Sequence, residues 1–253
     1  MRDDERAVSE LIGFVLVFSL VLGTVSVVYI AGLQGLHDTR DAERLQNAER
    51  AFDVLANNFQ ELGRGEAPNR ATEIRLADSQ LMMEERYRSR FRVNENNVSE
   101  AAPRPIVFDG GTGVRIVYEQ GAVIRNDVGG GARMLRTPDY LFGSQRTVVR
   151  YIEPRGGEQS VGGTTTALVR GQRTSPFLVY GQNVSGVDVE FDLETTAARA
   201  PAWMRYFDTQ ESLNGCTMSP SDAEGETLVT ITCSVDTNEL YVSRVLVDVQ
   251  IST

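Results

Sequence analysis

Leu11–Gly35 reads LIGFVLVFSLVLGTVSVVYIAGLQG, without one charged side chain. The hydrocarbon core of a bilayer takes about 20 apolar residues of α-helix, so a run of this length predicts a membrane-spanning segment. Fourteen of the residues from Leu11 to Ile30 are Leu, Ile, Val or Phe. At roughly −0.3 to −0.6 kcal/mol each near a helix centre, they favour insertion by about 4–8 kcal/mol. Gly13, Ser19, Gly23, Thr24 and Ser26 reduce that sum without cancelling it.

Past a polar step from His37 to Arg44 come Leu45, Ala48, Phe52, Leu55, Phe59 and Leu62, alternately three and four residues apart. That spacing puts one apolar stripe on a helix face, with Arg50, Asp53, Asn57 and Glu61 pointing elsewhere. No proline lies between Ser9 and Gly63 to break the two halves apart. Gly63 is the expected stop, with Pro68 beyond it. The prediction is one helix of about 54 residues, roughly 80 Å at 1.5 Å per residue. Its stripe is expected to pack on a sheet face.

Ahead of the apolar run stands a short charged leader, MRDDERA. A secretory signal would carry an apolar region of about 7–15 residues ending in a small-residue cleavage site, and this run is longer. The segment Arg6-Ala7-Val8-Ser9-Glu10-Leu11-Ile12-Gly13 resembles the start of type IV pilin-like proteins of halophilic archaea, in which a charged leader and a small residue precede a Val-Ser-x-x-Ile-Gly stretch. The resemblance is confined to about the first 25 to 30 residues. It implies a class III signal peptide whose prepilin peptidase site is formed by Arg6, Ala7 and Val8, cut at Ala7–Val8 to leave Val8 as the first mature residue, or one residue earlier at Arg6–Ala7. Glu10 stands where the haloarchaeal pattern often has Pro. In bacterial relatives a glutamate near this point pairs with a neighbouring subunit's amine, which makes Glu10 a candidate subunit contact. Its alternative role is a carboxylate favoured by the helix N-terminal dipole.

The domains expected are a leader at 1–7, a transmembrane or filament-core helix at 8–36, an amphipathic continuation at 37–63 and a β-rich head at 64–253. Arg2 and Arg6 precede the apolar run while Arg40, Arg44 and Arg50 follow it, so Lys/Arg counting does not orient the chain as a pilin would be. Other signals place the head outside. Asn97-Val98-Ser99 and Asn183-Val184-Ser185 are N-glycosylation acceptors in expected loops. Cys216 and Cys233 form an even pair, either a disulfide or two buried thiols. The localisation expected is therefore a cell membrane, single-pass, with a cytoplasmic N-terminus and an extracellular head. There are 35 acidic residues against 25 basic ones, and every basic residue is Arg. An acidic surface without lysine resembles proteins of high-salt organisms, and the net charge of −10 argues against a nucleic-acid partner.

Beyond Gly63 the texture changes. Residues 71–76, 113–119, 122–125, 146–153, 166–170, 176–182, 184–193, 226–235 and 240–251 are short β-branched runs with Gly, Pro or Asn between them, which predicts an antiparallel sheet. Pro201–Thr209 reads as a short helix whose Trp203, Tyr206 and Phe207 seal a sheet edge. The fold class expected is α+β: a long N-terminal helix on an antiparallel β-rich head, a pilin-like lollipop.

Candidate chemistry is sparse. His37 is the sole histidine and has no carboxylate cluster of ligand spacing around it. The glycine runs at 110–111, 129–131, 156–157 and 162–163 lack a phosphate-cradle context and read as turns. Ser175, Ser185 and Ser221 lack a nucleophile motif. An enzyme, a metal site and a cofactor are not expected. In Glu85–Val93, Arg86, Arg88, Arg90 and Arg92 alternate with Tyr87, Ser89, Phe91 and Val93, so a strand here carries its guanidinium groups on one face. That face serves either an anionic partner or, the favoured reading, neighbouring carboxylates. The function expected is a minor pilin-like subunit assembling through its N-terminal helix into a surface filament. The alternative is a membrane-anchored extracellular binding or adhesion protein. Membrane lipid, a prepilin peptidase, other pilin-like subunits and an extracellular ligand are the partners these readings imply.

Overall fold

A computed structural model describes residues 2–111, 113–174, 177–220 and 228–253, with side chains inside the first helix described at 13–29 and from 39 onward. The chain divides into two compact units, Met1–Gln46 and Asn47–Thr253.

The first unit is helical, being part of helix α1 (Arg2–Arg64). Among the described residues no helix is long and apolar enough to cross a membrane. Gly13, Ser19, Gly23, Thr24 and Ser26 interrupt the apolar residues of the described stretch 13–29. This corrects the expected fold class: the transmembrane half of the pilin-like lollipop is overturned. The single-pass membrane localisation, with its extracellular head and surface-pilus placement, is corrected with it. The side chains of Arg6, Ala7, Val8, Glu10 and His37 lie outside the described residues, and so do the expected cleavage site and subunit contact.

In the second unit α1 continues to Arg64 and buries Ala48, Phe52, Leu55, Phe59 and Leu62. Gly63 does not stop it. That glycine lies inside the helix against Ile152, where a Cβ would come within 2.9 Å of the side chain. The helix ends instead at Gly65, with φ +82°. The Gly65 N–H donates to the Leu62 carbonyl at 3.2 Å and the Glu66 N–H to that of Glu61 at 3.0 Å. These are the two hydrogen bonds of a Schellman cap.

Sixteen strands follow among the described residues. They are β1 (Asn69–Arg75), β2 (Ser79–Met83), β3 (Ser89–Val93), β4 (Asn96–Ala101), β5 (Ile106–Asp109), β6 (Val114–Glu119), β7 (Ala122–Asp127) and β8 (Gly131–Arg136). After them come β9 (Arg146–Arg155), β10 (Ser160–Gly163), β11 (Thr166–Arg173), β12 (Phe177–Asn183), β13 (Val189–Thr196), helix α2 (Ala200–Phe207), β14 (Leu213–Pro220), β15 (Leu228–Val235) and β16 (Glu239–Ser252). One sheet runs β1-β11-β16-β12 with β9 also on β16, a second β10-β2-β5-β6-β7-β8, and a third β14-β15-β13-β3-β4. The expectation of purely antiparallel pairing is corrected at one place: β9 and β16 run parallel over ten residue pairs, Glu239↔Arg146 to Asp248↔Arg155. Parallel neighbours need a long crossover, and here six strands and α2 lie between the two.

The stripe of α1 packs on the first sheet and on Tyr118 of β6. The Phe59 and Tyr118 rings meet edge to face with centroids 5.0 Å apart. A Cβ at Gly171 of β11 would fall 3.0 Å from Leu62, Phe59 and Val247, so the helix lies against bare backbone there. The main core gathers Phe91, Tyr151, Phe191, Trp203, Phe207, Ile231 and Val242. Trp203 and Phe207 are fully buried within it, on a helix that lies against β8 and β14, the outer strands of two sheets.

Candidate functional site

Two features of the structure invite a function, one in each unit. In the first, the helix from 13 to 29 is exposed at every described side chain. Leu20 is 68 % and Val28 71 % exposed, and Phe14, Leu16, Val21 and Val25 behave alike. Its polar groups turn inward on their own helix: Thr24 Oγ1 donates to the Val21 carbonyl at 2.9 Å and Ser26 Oγ to that of Leu22 at 2.8 Å. The result is apolar on every side, a pattern that occurs in helices surrounded by other apolar surface.

In the second unit, a charge cluster sits under α2. Arg199 (2 % exposed) and Glu119 (1 % exposed) are both buried, with Arg199 Nε 3.2 Å from Glu119 Oε2. The other carboxylate oxygen of Glu119 accepts from Thr195 Oγ1 at 2.6 Å and from Trp203 Nε1 at 2.7 Å. Arg199 Nη2 donates to Glu84 Oε2 at 2.7 Å and to the Tyr87 hydroxyl at 3.0 Å, and Tyr87 in turn donates to Glu84 at 2.9 Å. Burial pushes the Tyr87 hydroxyl and the Glu119 carboxyl up from their ordinary values. The Arg199 guanidinium is raised as well, because the attraction of Glu119 and Glu84 outweighs its burial. Clefts of about 380 and 530 Å³ flank the cluster and share Glu84 and Arg115 in their walls. Glu119 Oε2 accepts no hydrogen bond and is held by its ion pair with Arg199, and the arrangement clamps the end of β2 to β6, β13 and α2. Sequence reading missed it because its members come from four separate stretches. The only local sign is Arg199 set directly before a helix that carries Pro201 and Trp203.

The arginine run lies along β3 and faces carboxylates of β13. Arg90 pairs with Asp192 at 2.7 Å, Arg92 with Glu190 and Asp192 at 3.0 Å each, and Arg88 with Glu194 at 3.3 Å. The strand register sets Arg92 opposite Glu190 and Arg90 opposite Asp192. Burial pushes Asp192 up, but hydrogen bonds from Arg90, Arg92 and Thr232 outweigh it and hold the carboxyl below its ordinary value. Arg86 is exposed ahead of the strand. Cross-strand ladders of this kind account locally for the arginine-and-acid composition, and the halophilic assignment loses its support.

Cys216 on β14 and Cys233 on β15 form a disulfide with Cα atoms 4.1 Å apart. It joins two adjacent strands. Cys233 lies opposite a two-residue irregularity, because the ladder passes from Asn214↔Ser234 to Thr217↔Thr232. Reduction should lower stability by about 3 kcal/mol in the loop-entropy account, read as a lower urea midpoint with dithiothreitol than without. An unchanged midpoint would show that the hairpin holds itself. Of the glycosylation acceptors, Asn97 is exposed in β4 and Asn183 exposed at the end of β12. Neither falls in the expected loop. Asn97 Nδ2 donates to Glu100 at 3.3 Å, while Asn183 Oδ1 accepts the Ser185 N–H at 3.1 Å. Ser175 and Ser221 lie outside the described residues, and Ser185 Oγ is 3.2 Å from Asn238 Oδ1. Among the described residues no group of three or more side chains is arranged to hold a metal ion.

A family model described as "Family of unknown function (DUF7289)" matches residues 6–250. No curated protein matches the chain.

Proposed function

We propose, for a chain that belongs to DUF7289, a family of unknown function, that it is a structural subunit which self-assembles through its N-terminal helix into a bundled or filamentous array. The observation that carries this reading is the helix at 13–29, apolar and exposed on all sides. A contiguous apolar surface of that extent marks an interaction site. The occupant that suits it is the same helix of further copies. A two-fold dimer covers one face of a helix and leaves the others in water. Contacts on unlike faces are heterologous, and heterologous contacts build rings or open arrays. The back-bonded hydroxyls of Thr24 and Ser26 support the reading, since they ask for no polar partner across such a contact.

The test is the assembly state of the full chain by sedimentation velocity and negative-stain microscopy. Leu20→Glu and Val25→Glu set charges on opposing parts of the helix and should convert large species to monomer while leaving the second unit's unfolding midpoint unchanged. A wild-type chain that stays monomeric at high concentration would overturn the proposal, and so would variants that assemble as well as wild type.

A further inference from the structure

Strand β14 holds a feature that neither the packing nor the proposed assembly uses. Asn214-Gly215 is the one Asn-Gly pair in the sequence. Asn214 and Gly215 are both exposed, and the asparagine helps line an open cleft with Arg92, Glu190, Ser234 and Asp236. Gly215 has φ +60°, and a Cβ added to it would meet no atom within 4 Å. The regular register is interrupted there, because Gly215 and Cys216 together stand against Cys233. A glycine in the left-handed region at such an irregularity is the hallmark of a bulge that re-aims the chain. The strand is also at the edge of its sheet, where water has open access to it.

From this juxtaposition we infer that Asn214-Gly215 is a site of spontaneous backbone modification. With a glycine following, no side chain shields the peptide nitrogen. That nitrogen, on losing its proton to water or hydroxide, attacks the Asn214 side-chain carbonyl carbon. A new carbon–nitrogen bond closes a five-membered imide, the bond from that carbon to Nδ2 breaks, and the amide nitrogen takes up a proton and leaves as ammonia. Water then opens the imide at either carbonyl. One opening gives an aspartyl residue at position 214; the other gives an isoaspartyl residue, whose backbone runs through the former side chain. Both add a negative charge on the cleft wall that already carries Glu190 and Asp236. The isoaspartyl form also adds one backbone carbon to β14, two residues before the cysteine that ties this strand to β15.

The experiment incubates the purified full chain, disulfide intact, at mildly alkaline pH. Position 214 is then followed by peptide mapping with electron-transfer fragmentation and by enzymatic methylation of isoaspartate. Position 214 should be the fastest-modified asparagine of the chain, with both isomers present and the imide trapped at early times. Asn214→Gln should remove the signal. Gly215→Ala should slow it, and because alanine is strained at this φ, the Gln variant serves as the independent control. An amide at 214 that survives in the folded chain while the urea-unfolded chain converts would overturn the inference, since it would show that the bulge protects the pair.

Discussion

Arg199→Met is expected to destabilise the second unit by about 3–5 kcal/mol, because it removes one partner of a buried pair and strands the other's charge. Glu119 keeps its donors Thr195 and Trp203 in this variant but loses the Arg199 guanidinium 3.2 Å away. Burial already holds its carboxyl above the ordinary value of 4.5, and the substitution pushes it further. The sign follows from proton linkage. A carboxyl raised in the folded state binds protons that the unfolded state has released, so its contribution is complete below the unfolded value and is lost as pH rises through the folded one. The variant should therefore lose stability, as pH rises above the ordinary carboxylate range, more steeply than the wild type. Adding Glu119→Gln should recover much of the loss and flatten that slope, since replacing both charges removes the stranded one. Urea midpoints at two pH values read both effects. A single variant as stable as wild type, with the same pH dependence, would show that the pair is not coupled.

Phe52→Ala should cost about 3–5 kcal/mol, the range for deleting a buried aromatic and leaving its space partly unfilled. Phe52 has no exposed surface and lies in a row with Leu55, Phe59 and Leu62, all buried. Val54→Ala makes a matched comparison, because Val54 is about half exposed and surface changes usually shift stability by within about 0.5 kcal/mol. Equal midpoints for the two variants would mean that the stripe contributes nothing beyond helix propensity.

The difference between those two positions is readable in the sequence. An apolar residue every three or four places fixes a helix face, and the face it fixes is the buried one. Strands β9, β15 and β16 are legible for a similar reason, since β-branched residues alternate along them. Strands β14 (LNGCTMSP) and β4 (NNVSEA) are not. They are polar and irregular, and they become strands because a neighbour offers hydrogen bonds, which is tertiary context acting over propensity. The run at 184–188, expected as the start of β13, turns instead. The Val187 N–H closes on the Val184 carbonyl at 3.3 Å with Gly186 at φ +76°. The parallel pairing of β9 with β16 and the convergence of Glu84, Glu119 and Arg199 are long-range outcomes that no local pattern encodes. The apolar run at 13–29 shows a further limit. Hydropathy registers that a helix surface avoids water, and it reads the same whether lipid or other protein chains supply the cover.

The placement of β16 has a consequence for biosynthesis. This strand is hydrogen-bonded to β9, β11 and β12, so the sheet that receives the helix stripe has no middle until residues 239–252 are available. Local hairpins such as β3–β4 and β6–β7 can form as they leave the ribosome, whereas contacts of long sequence separation must wait. Until then Phe52, Phe59 and Leu62 stay uncovered beside an equally apolar segment at 13–29. A nascent chain of this protein therefore carries two uncovered apolar helical surfaces for nearly its whole synthesis.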